Sequence, residues 1–579
     1  MTWTSRVALV SSGLCLVVAC GADDEKRRVR GEAGAGGEAP AVVNGGEGGA
    51  PTPGEAGSPT VVGGTRPTSS EGGGAGSPLP PEGGTPGSAG APAELGGEGG
   101  VALAGAPAVG RCEGPLTFAD ANFEARVRTT IGKPTGPFTK ADVQGLTDLS
   151  LSYQDIKSID GIQCLTAVTT VNLTNDPVAD LSLLATLPLL VDLNVSGVKV
   201  ADFTVVGSLT GLTKLAIQAN DLGTLPDLSG LTKLETLWAG SNQLTGVQTV
   251  GSLTSLKELA LTDNELADIS PLASLVNLEQ LRLDRNQVAD LGPLSTLPKL
   301  TNLNLYSNLV VNVAPLTNLP LKYLYLTYND VANGAPISNI TSLEILEMWG
   351  NALTDTAFVT PLTKLTHLTL SENQIGNNLA GAGSLTQLQS LDLYNNGITD
   401  VSALAGLTNL SSLDLSHNQI TSGAPLAGLT SLTWLSVSEN QLTGVAFLTN
   451  LNQLQSLALE MIPITSLSGI ANKPNLTALY LQYNSLTDYT ALSGLTSLST
   501  LYIWNNALSD ATPLTPLVNL TSLSLTGNAL TNLTPLAANA GLAEGDTLEL
   551  DKNPFDCTAQ AANLQALAAR GVSLKTDCP

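Results

Sequence analysis

The sequence predicts an α/β solenoid, a curved stack of short parallel strands closed at both ends by caps. Three observations predict it. One 22-residue frame recurs from residue 146 onward, as in "LQSLDLYNNGITDVSALAGLTN" (388–409) and "LSSLDLSHNQITSGAPLAGLTS" (410–431). Within each unit, apolar and polar residues alternate with the period of a strand before an irregular apolar half. Beyond residue 20, the four cysteines, Cys112, Cys164, Cys557 and Cys578, flank the repeated stretch in two pairs.

Units start at 146, 168, 190, 212, 234, 256, 278, 300, 321, 343, 365, 388, 410, 432, 454, 476, 498 and 520. The step is 22, with one of 21 and one of 23. That makes 18 units over 146–544, followed by a terminal variant, "LELDKNPF", and a last segment, in all 545–579. A fixed period of this length marks stacked structural repeats. Leu at positions 4 and 6 of each unit points one way. Positions 3, 5, 7 and 8 are mostly polar and face out. Asn at position 9 (Asn264, Asn286, Asn418, Asn440, Asn528) can satisfy turn backbone groups through its amide. The second half, as in "ADISPLASLVN" (267–277), suits a 3₁₀ or extended return. No unit can bury its Leu face alone, so units must stack. At about 4.8 Å per strand, eighteen give a concave face about 85 Å long.

The N-terminal region reads differently. Arg6 precedes "VALVSSGLCLVVAC", an apolar run too short to span a bilayer, and the pattern is that of a signal peptide over 1–19. Its end, Val17-Val18-Ala19-Cys20, resembles the lipobox of bacterial lipoproteins, in which the signal is cut before a Cys that then carries lipid. Val17 stands where that family most often has Leu, and an ordinary signal peptide with a chance Cys is the alternative. Residues 20–110 follow as a lipidated Cys and a Gly/Pro/Ala/Glu-rich stretch without aromatics, which cannot bury enough surface to fold. It reads as a tether with an r.m.s. reach of about 50–60 Å.

The repeat resembles the leucine-rich repeat, specifically the 22-residue internalin-like class of bacterial surface proteins, across about residues 112–579. The segment 111–145 resembles the helical cap of that class: Phe123, Val127 and Ile131 share a helix face, Gly132 stops it, and Thr139 with Asp142 opens a second helix in capping-box style. The segment "NPFDCTAQAANLQALAARGVSLKTDCP" resembles a cysteine-bearing C-terminal cap with Leu564 and Leu567 on its helix. The resemblance implies disulfides Cys112–Cys164 and Cys557–Cys578, in keeping with an oxidising compartment. The chain departs from internalins in its N-terminal anchor and in showing no C-terminal sorting signal, so ligands of the Listeria proteins are not carried over.

Composition narrows the partners. A net charge of −25, from 25 Lys and Arg against 50 Asp and Glu, argues against nucleic acid and against direct binding to anionic lipid. Membrane association is expected through the N-terminal lipid only. Two histidines, His367 and His417, and no Cys-x-x-Cys or His-x-x-x-His leave no metal site, and no cofactor is expected. Concave carboxylates such as Glu258, Asp263 and Asp284 read as solvated rim charge, and Arg282, Asp284 and Arg285 more as a solvated patch than as an ion-pair cluster.

Aromatic placement is the functional signal. Tyr153, Trp238, Tyr306, Tyr323, Tyr325, Tyr328, Trp349, Tyr394, Trp434, Tyr480, Tyr483, Tyr502 and Trp504 all occupy concave positions, and Tyr489 does not. No Phe is concave; Phe203, Phe358 and Phe447 fall in return halves. Residues with an apolar body and a polar tip dominate binding hot spots. The set from Tyr306 to Trp504 therefore reads as a ligand-binding face, with a purely structural ladder as the alternative. The expected function is non-enzymatic: an envelope protein, at the outer membrane or cell surface and monomeric, that holds a protein or peptide partner, or alternatively a glycan.

The anchor has a direct test. Two or three acyl chains, as the lipoprotein resemblance implies, suffice for stable attachment where one is marginal. Cys20→Ala should release the protein from membranes in a sedimentation assay; an Ala variant that sediments as wild type does would refute lipid attachment there.

Overall fold

The computed structural model describes residues 112–137 and 139–579. The predicted signal peptide (1–19), Cys20 and the predicted tether to residue 110 lie outside the described residues. The rest forms one open parallel sheet of 20 three-residue strands, from Asp148–Ser150 to Ser573–Lys575, each pairing with the next along the chain. Eighteen strands belong to the 18 units, one to the terminal variant and one to the C-terminal cap.

Every strand but the last buries its central residue, the Leu or Val of position 4, and these stack in register down the sheet: Leu281 on Leu303, Leu303 on Leu324, Leu346 on Leu368. The Leu, Ile and Val of position 6 and of the return halves complete one continuous core. Returns are mostly 3₁₀ turns, such as Ser270–Ser274 and Gly292–Thr296 with Pro271 and Pro293 in the first turn. Proline lacks an N–H that would be orphaned there in any case. An Asp two residues ahead of many turns caps them: Asp268 accepts from the Ser270 N–H at 2.8 Å and Asp510 from the Thr512 N–H at 2.9 Å. The bond from the Ser270 N–H holds the Asp268 carboxyl below its ordinary pKa.

The two irregular steps are absorbed in the returns. The 21-residue unit uses a three-residue turn, Ala314–Leu316, and the 23-residue unit an α-helical one, Ala380–Gly383. Strand register survives both, Leu303 on Leu324 and Leu368 on Leu391.

Position 9 joins the units. Asn286 is buried; its amide nitrogen donates to the carbonyls of Leu261 and Leu283 at 2.9 and 3.0 Å, and its oxygen accepts from the Leu266 N–H at 3.1 Å. Asn264, Asn308, Asn329, Asn373, Asn418 and Asn440 repeat the arrangement. One side chain thus satisfies buried groups of its own and the preceding unit.

Both caps form as the sequence predicts. The helix Ala121–Thr130 is capped by Asp120, buries Phe123 and Val127, and ends at Gly132 with φ 68°. Asp142 accepts from the Thr139 N–H at 2.7 Å at the start of the helix Lys140–Val143. The disulfides are Cys112–Cys164 and Cys557–Cys578. The helix Ala561–Ala569 buries Leu567, and Arg570 donates to the carbonyls of Asn539 and Ala537. Among the described residues no helix is long and apolar enough to cross a membrane.

Four units lack the Asn, with Gln154, Asp176, Val198 or Ile462 in its place, and the second is informative. Asp176 occupies position 9 of the second unit, is fully buried, and accepts from the N–H groups of Gln154 and Ile156 at 2.8 and 3.0 Å. Its other oxygen has no partner, and burial raises its pKa. An ionised carboxylate cannot donate to carbonyls as Asn does. The folded pKa lies above the unfolded one, so this group subtracts stability as pH rises above about 3.8. Asp176→Asn should therefore stabilise the protein by about 1–2 kcal/mol at pH 7, with the gain shrinking below pH 4. Melting curves across pH check both parts.

Candidate binding face

The concave floor is built from positions 3, 5, 7 and 8. Positions 3 and 5 lie on the strand and alternate with the buried position 4, so their side chains must face out. Position 8 is held differently. Its backbone is left-handed in every unit, with φ near 55° at Tyr153, Asp263, Arg285, Tyr328, His417 and Tyr483, and 63° at Gly350. The chain turns there so that the next residue, Asn in most units, can point inward. Sequence reasoning missed this constraint. The signal lay in Gly197, Gly350 and Gly527 and in Asn175, Asn395 and Asn505, all at position 8, the residue types that adopt this conformation most easily. A tyrosine in that backbone is costly by roughly 1 kcal/mol or more.

The predicted aromatics are partly exposed on this floor, Tyr153 and Tyr483 most of all, at 71% and 47%. Tyr489 is buried with its hydroxyl on the Leu486 carbonyl at 3.1 Å. Phe203, Phe358 and Phe447 are buried, as their positions predict. A Cβ on Gly334 would come within 2.7 Å of the Phe358 ring, so that glycine is the seat of the phenylalanine.

Two clusters emerge. In the first, Tyr306 meets Tyr328 edge to face at 5.7 Å and Tyr328 meets Trp349 at 5.2 Å. Tyr323 and Tyr325 stand on the strand between those of Asn302–Asn304 and Ile345–Glu347. Arg285 lies 5.9 Å from the Tyr306 ring and pairs with Asp263. The Trp349 indole N–H is shielded from solvent and lacks an acceptor. In the second cluster Tyr480 meets Tyr502 at 5.6 Å and Tyr483 meets Trp504 at 4.6 Å, both edge to face. Between the clusters Tyr394 stacks on His417 at 5.5 Å, and Trp434 lies in register between Ser412 and Ser456. His417 Nδ1 is 2.8 Å from the Glu439 carboxylate, and His367 Nδ1 is 2.9 Å from the Thr366 hydroxyl. Trp238 sits apart, under Lys214 at 4.4 Å, with its indole N–H on Glu258. Neighbouring rings thus touch, as a ladder requires, yet retain exposed surface.

Two sequence expectations are corrected. Asp284 is not rim charge: it is 2% exposed and accepts from the Thr262 hydroxyl at 2.8 Å. Arg282 and Arg285 are not merely a solvated patch. Both approach Asp284, at 3.3 and 3.7 Å, and Arg285 also pairs with Asp263. The in-register approach of neighbouring strands brings these charges together, which sequence spacing alone did not decide.

A model of paired leucine-rich repeats matches residues 232–274, 363–406, 386–428 and 474–516. Internalin C2 of Listeria monocytogenes is 30% identical over 37% of this chain and 92% of its own, with a TM-score of 0.34. The chain is a leucine-rich-repeat protein, similar to internalins. A leucine-rich-repeat protein of Leptospira interrogans is 24% identical over 75% of this chain and 97% of its own, with a TM-score of 0.51. The plant peptide hormone receptor RGFR1, solved in complex with RGF2, is 20% identical over 72% of this chain and 85% of its own, also at 0.51. No curated protein matches the chain by sequence. Leucine-rich-repeat proteins are typically protein-binding modules, and this internalin-like chain presents the concave floor on which such a fold offers side chains.

Electrostatics of the floor give a second test. Glu347 lies between Tyr325 and Thr369 in register, and burial pushes its carboxyl up to about 7, with Asp392 adding repulsion. A raised folded pKa means stability is lost as pH climbs from the unfolded value near 4.5 through about 7. Relative to Glu347→Gln, the wild-type melting temperature should fall over that window and run parallel above it. Parallel profiles throughout would show that Glu347 is not so perturbed.

Proposed function

We propose that this is a lipid-anchored, monomeric envelope protein that recognises a protein or peptide partner along its concave floor, with anchors in units 8–10 and 16–17. The observation that carries the reading is the segregation of aromatic types. Tyrosine and tryptophan, with polar tips, stand almost entirely on a surface that does not hold the core, while Phe203, Phe358 and Phe447 are kept inside. Tyr328 and Tyr483 occupy left-handed positions where Gly or Asn would relieve strain, so the fold itself does not call for them. Cys20 attaches the protein to a membrane of the bacterial envelope, and residues 21–110 act as its leash. Within this reading the protein performs no chemistry: it presents a surface.

Buried Tyr and Trp anchors typically contribute about 1–3 kcal/mol of binding. Trp349→Ala and Trp504→Ala should each weaken capture of the partner in pull-downs from envelope or target-cell extracts, leaving the melting transition nearly in place. Phe358→Ala should do the reverse, melting earlier because it empties a core site. Trp variants that bind normally but melt much earlier would make the rings a structural ladder. A glycan array run beside the pull-down tells a sugar ligand from a protein one.

A further inference from the structure

Between the two aromatic clusters the concave floor carries charge of one sign. Glu347, Glu372, Asp392, Asp414, Glu439 and Glu460 occupy its positions 5, 7 and 8. From Arg285 to Lys552 no Lys or Arg occupies a concave position. Elsewhere the solenoid pairs its charges across units, Lys199 with Asp221 at 2.9 Å and Lys257 with Glu235 at 2.8 Å. Among the described residues none of the six carboxylates has such a partner; Glu439 meets only His417.

The arrangement is unfavourable for the fold alone. Asp392 and Asp414 stand directly opposite one another on paired strands, where like charges destabilise. Asp392 accepts from the Tyr394 N–H at 3.0 Å and Asp414 from the Ser416 N–H at 2.8 Å. Burial raises the pKa of both, Asp414 to about 6. Independently, Gln482 lies on the same floor between Glu460 and Trp504. It is 6% exposed, and its side-chain oxygen has no donor. The strip therefore offers acceptors in excess and lacks the cations that would answer them.

The protein shows within itself how a cation seats on this face. The Arg285 guanidinium lies on the Asp263 carboxylate and against the Tyr306 ring, the planar geometry suited to carboxylate and aromatic together. From Trp349 to Trp504 is seven strand steps, about 34 Å. An extended peptide of about ten residues covers that distance.

Resting on the peptide-binding reading above, we propose that the partner is cationic: an extended, Arg- or Lys-rich segment whose side chains lie on the Glu347–Glu460 strip while its ends reach the two aromatic clusters. The ligand supplies the counter-charges that the chain withholds here.

Three decapeptides test this against the full mature chain by fluorescence anisotropy: Ser alternating with Arg, with Gln or with Glu. The Arg peptide should bind at least tenfold tighter than the Gln peptide at 50 mM salt, and the preference should shrink at 300 mM. The triple variant Glu347→Gln, Asp392→Asn, Asp414→Asn should abolish the preference. These near-isosteric changes remove repulsion, so the variant should melt no earlier than wild type. Equal binding of Arg and Gln peptides, or a preference that survives in the triple variant, overturns the inference. If Trp349→Ala and Trp504→Ala weaken binding of every peptide while charge makes no difference, the aromatic reading stands and the charge assignment falls. If no peptide binds, or neither set of variants alters binding, both fall.

Discussion

The structure depends on one constraint: a strand of three residues cannot satisfy or bury itself. Each contributes a single core side chain and a few ladder bonds, so its turn would leave backbone groups stranded beneath the sheet. The position-9 amide removes that difficulty. Asn286 serves carbonyls and an N–H of two successive units with one side chain. Because each Asn reaches backward, the units it joins are completed by their successors, and the stack is continuous by necessity. The disulfide-linked caps lie where that chain of dependence must stop.

The cost of the device is a left-handed residue in every unit. The turn that carries position 9 inward holds position 8 in a conformation that most side chains resist, and the side chain it carries is directed to the concave floor. The fold thus places a strained, variable residue on its most exposed face, once per unit. Since the core asks nothing of that residue's chemistry, the position is free to carry Tyr, Arg, His, Glu or Gly. Separation of a periodic interior from an aperiodic floor is what lets one architecture present an individual surface.

Departures from the period show which parts are rigid. Insertion and deletion are taken up in the returns and never in the strands, because a one-residue slip in a strand would turn its Leu outward. The fifteenth unit bends the rules furthest. Ile462 replaces the Asn, and Lys473 is fully buried, its ammonium on the Thr449 carbonyl at 2.8 Å and the Asn452 side chain at 3.3 Å. Burial without a carboxylate lowers its pKa. This unit also opens the second aromatic region, which begins at Tyr480 in the unit that follows.

The sequence by itself determined the stack and the concave positions, because a period of 22 leaves one way to bury Leu at positions 4 and 6, while the caps and the cysteine pairing were legible only through the resemblance to internalins. It also separated Tyr and Trp from Phe, since the alternation of a strand assigns each side chain a face. Only the tertiary structure decided which residues meet. Asp284 is buried between two arginines, Tyr328 bridges Tyr306 and Trp349, and Asp392 faces Asp414, because strands 22 residues apart in the chain lie one ladder spacing apart in register. The left-handed turn at position 8 was likewise hidden: it recurs whatever residue stands there, and leaves only scattered Gly and Asn as its trace.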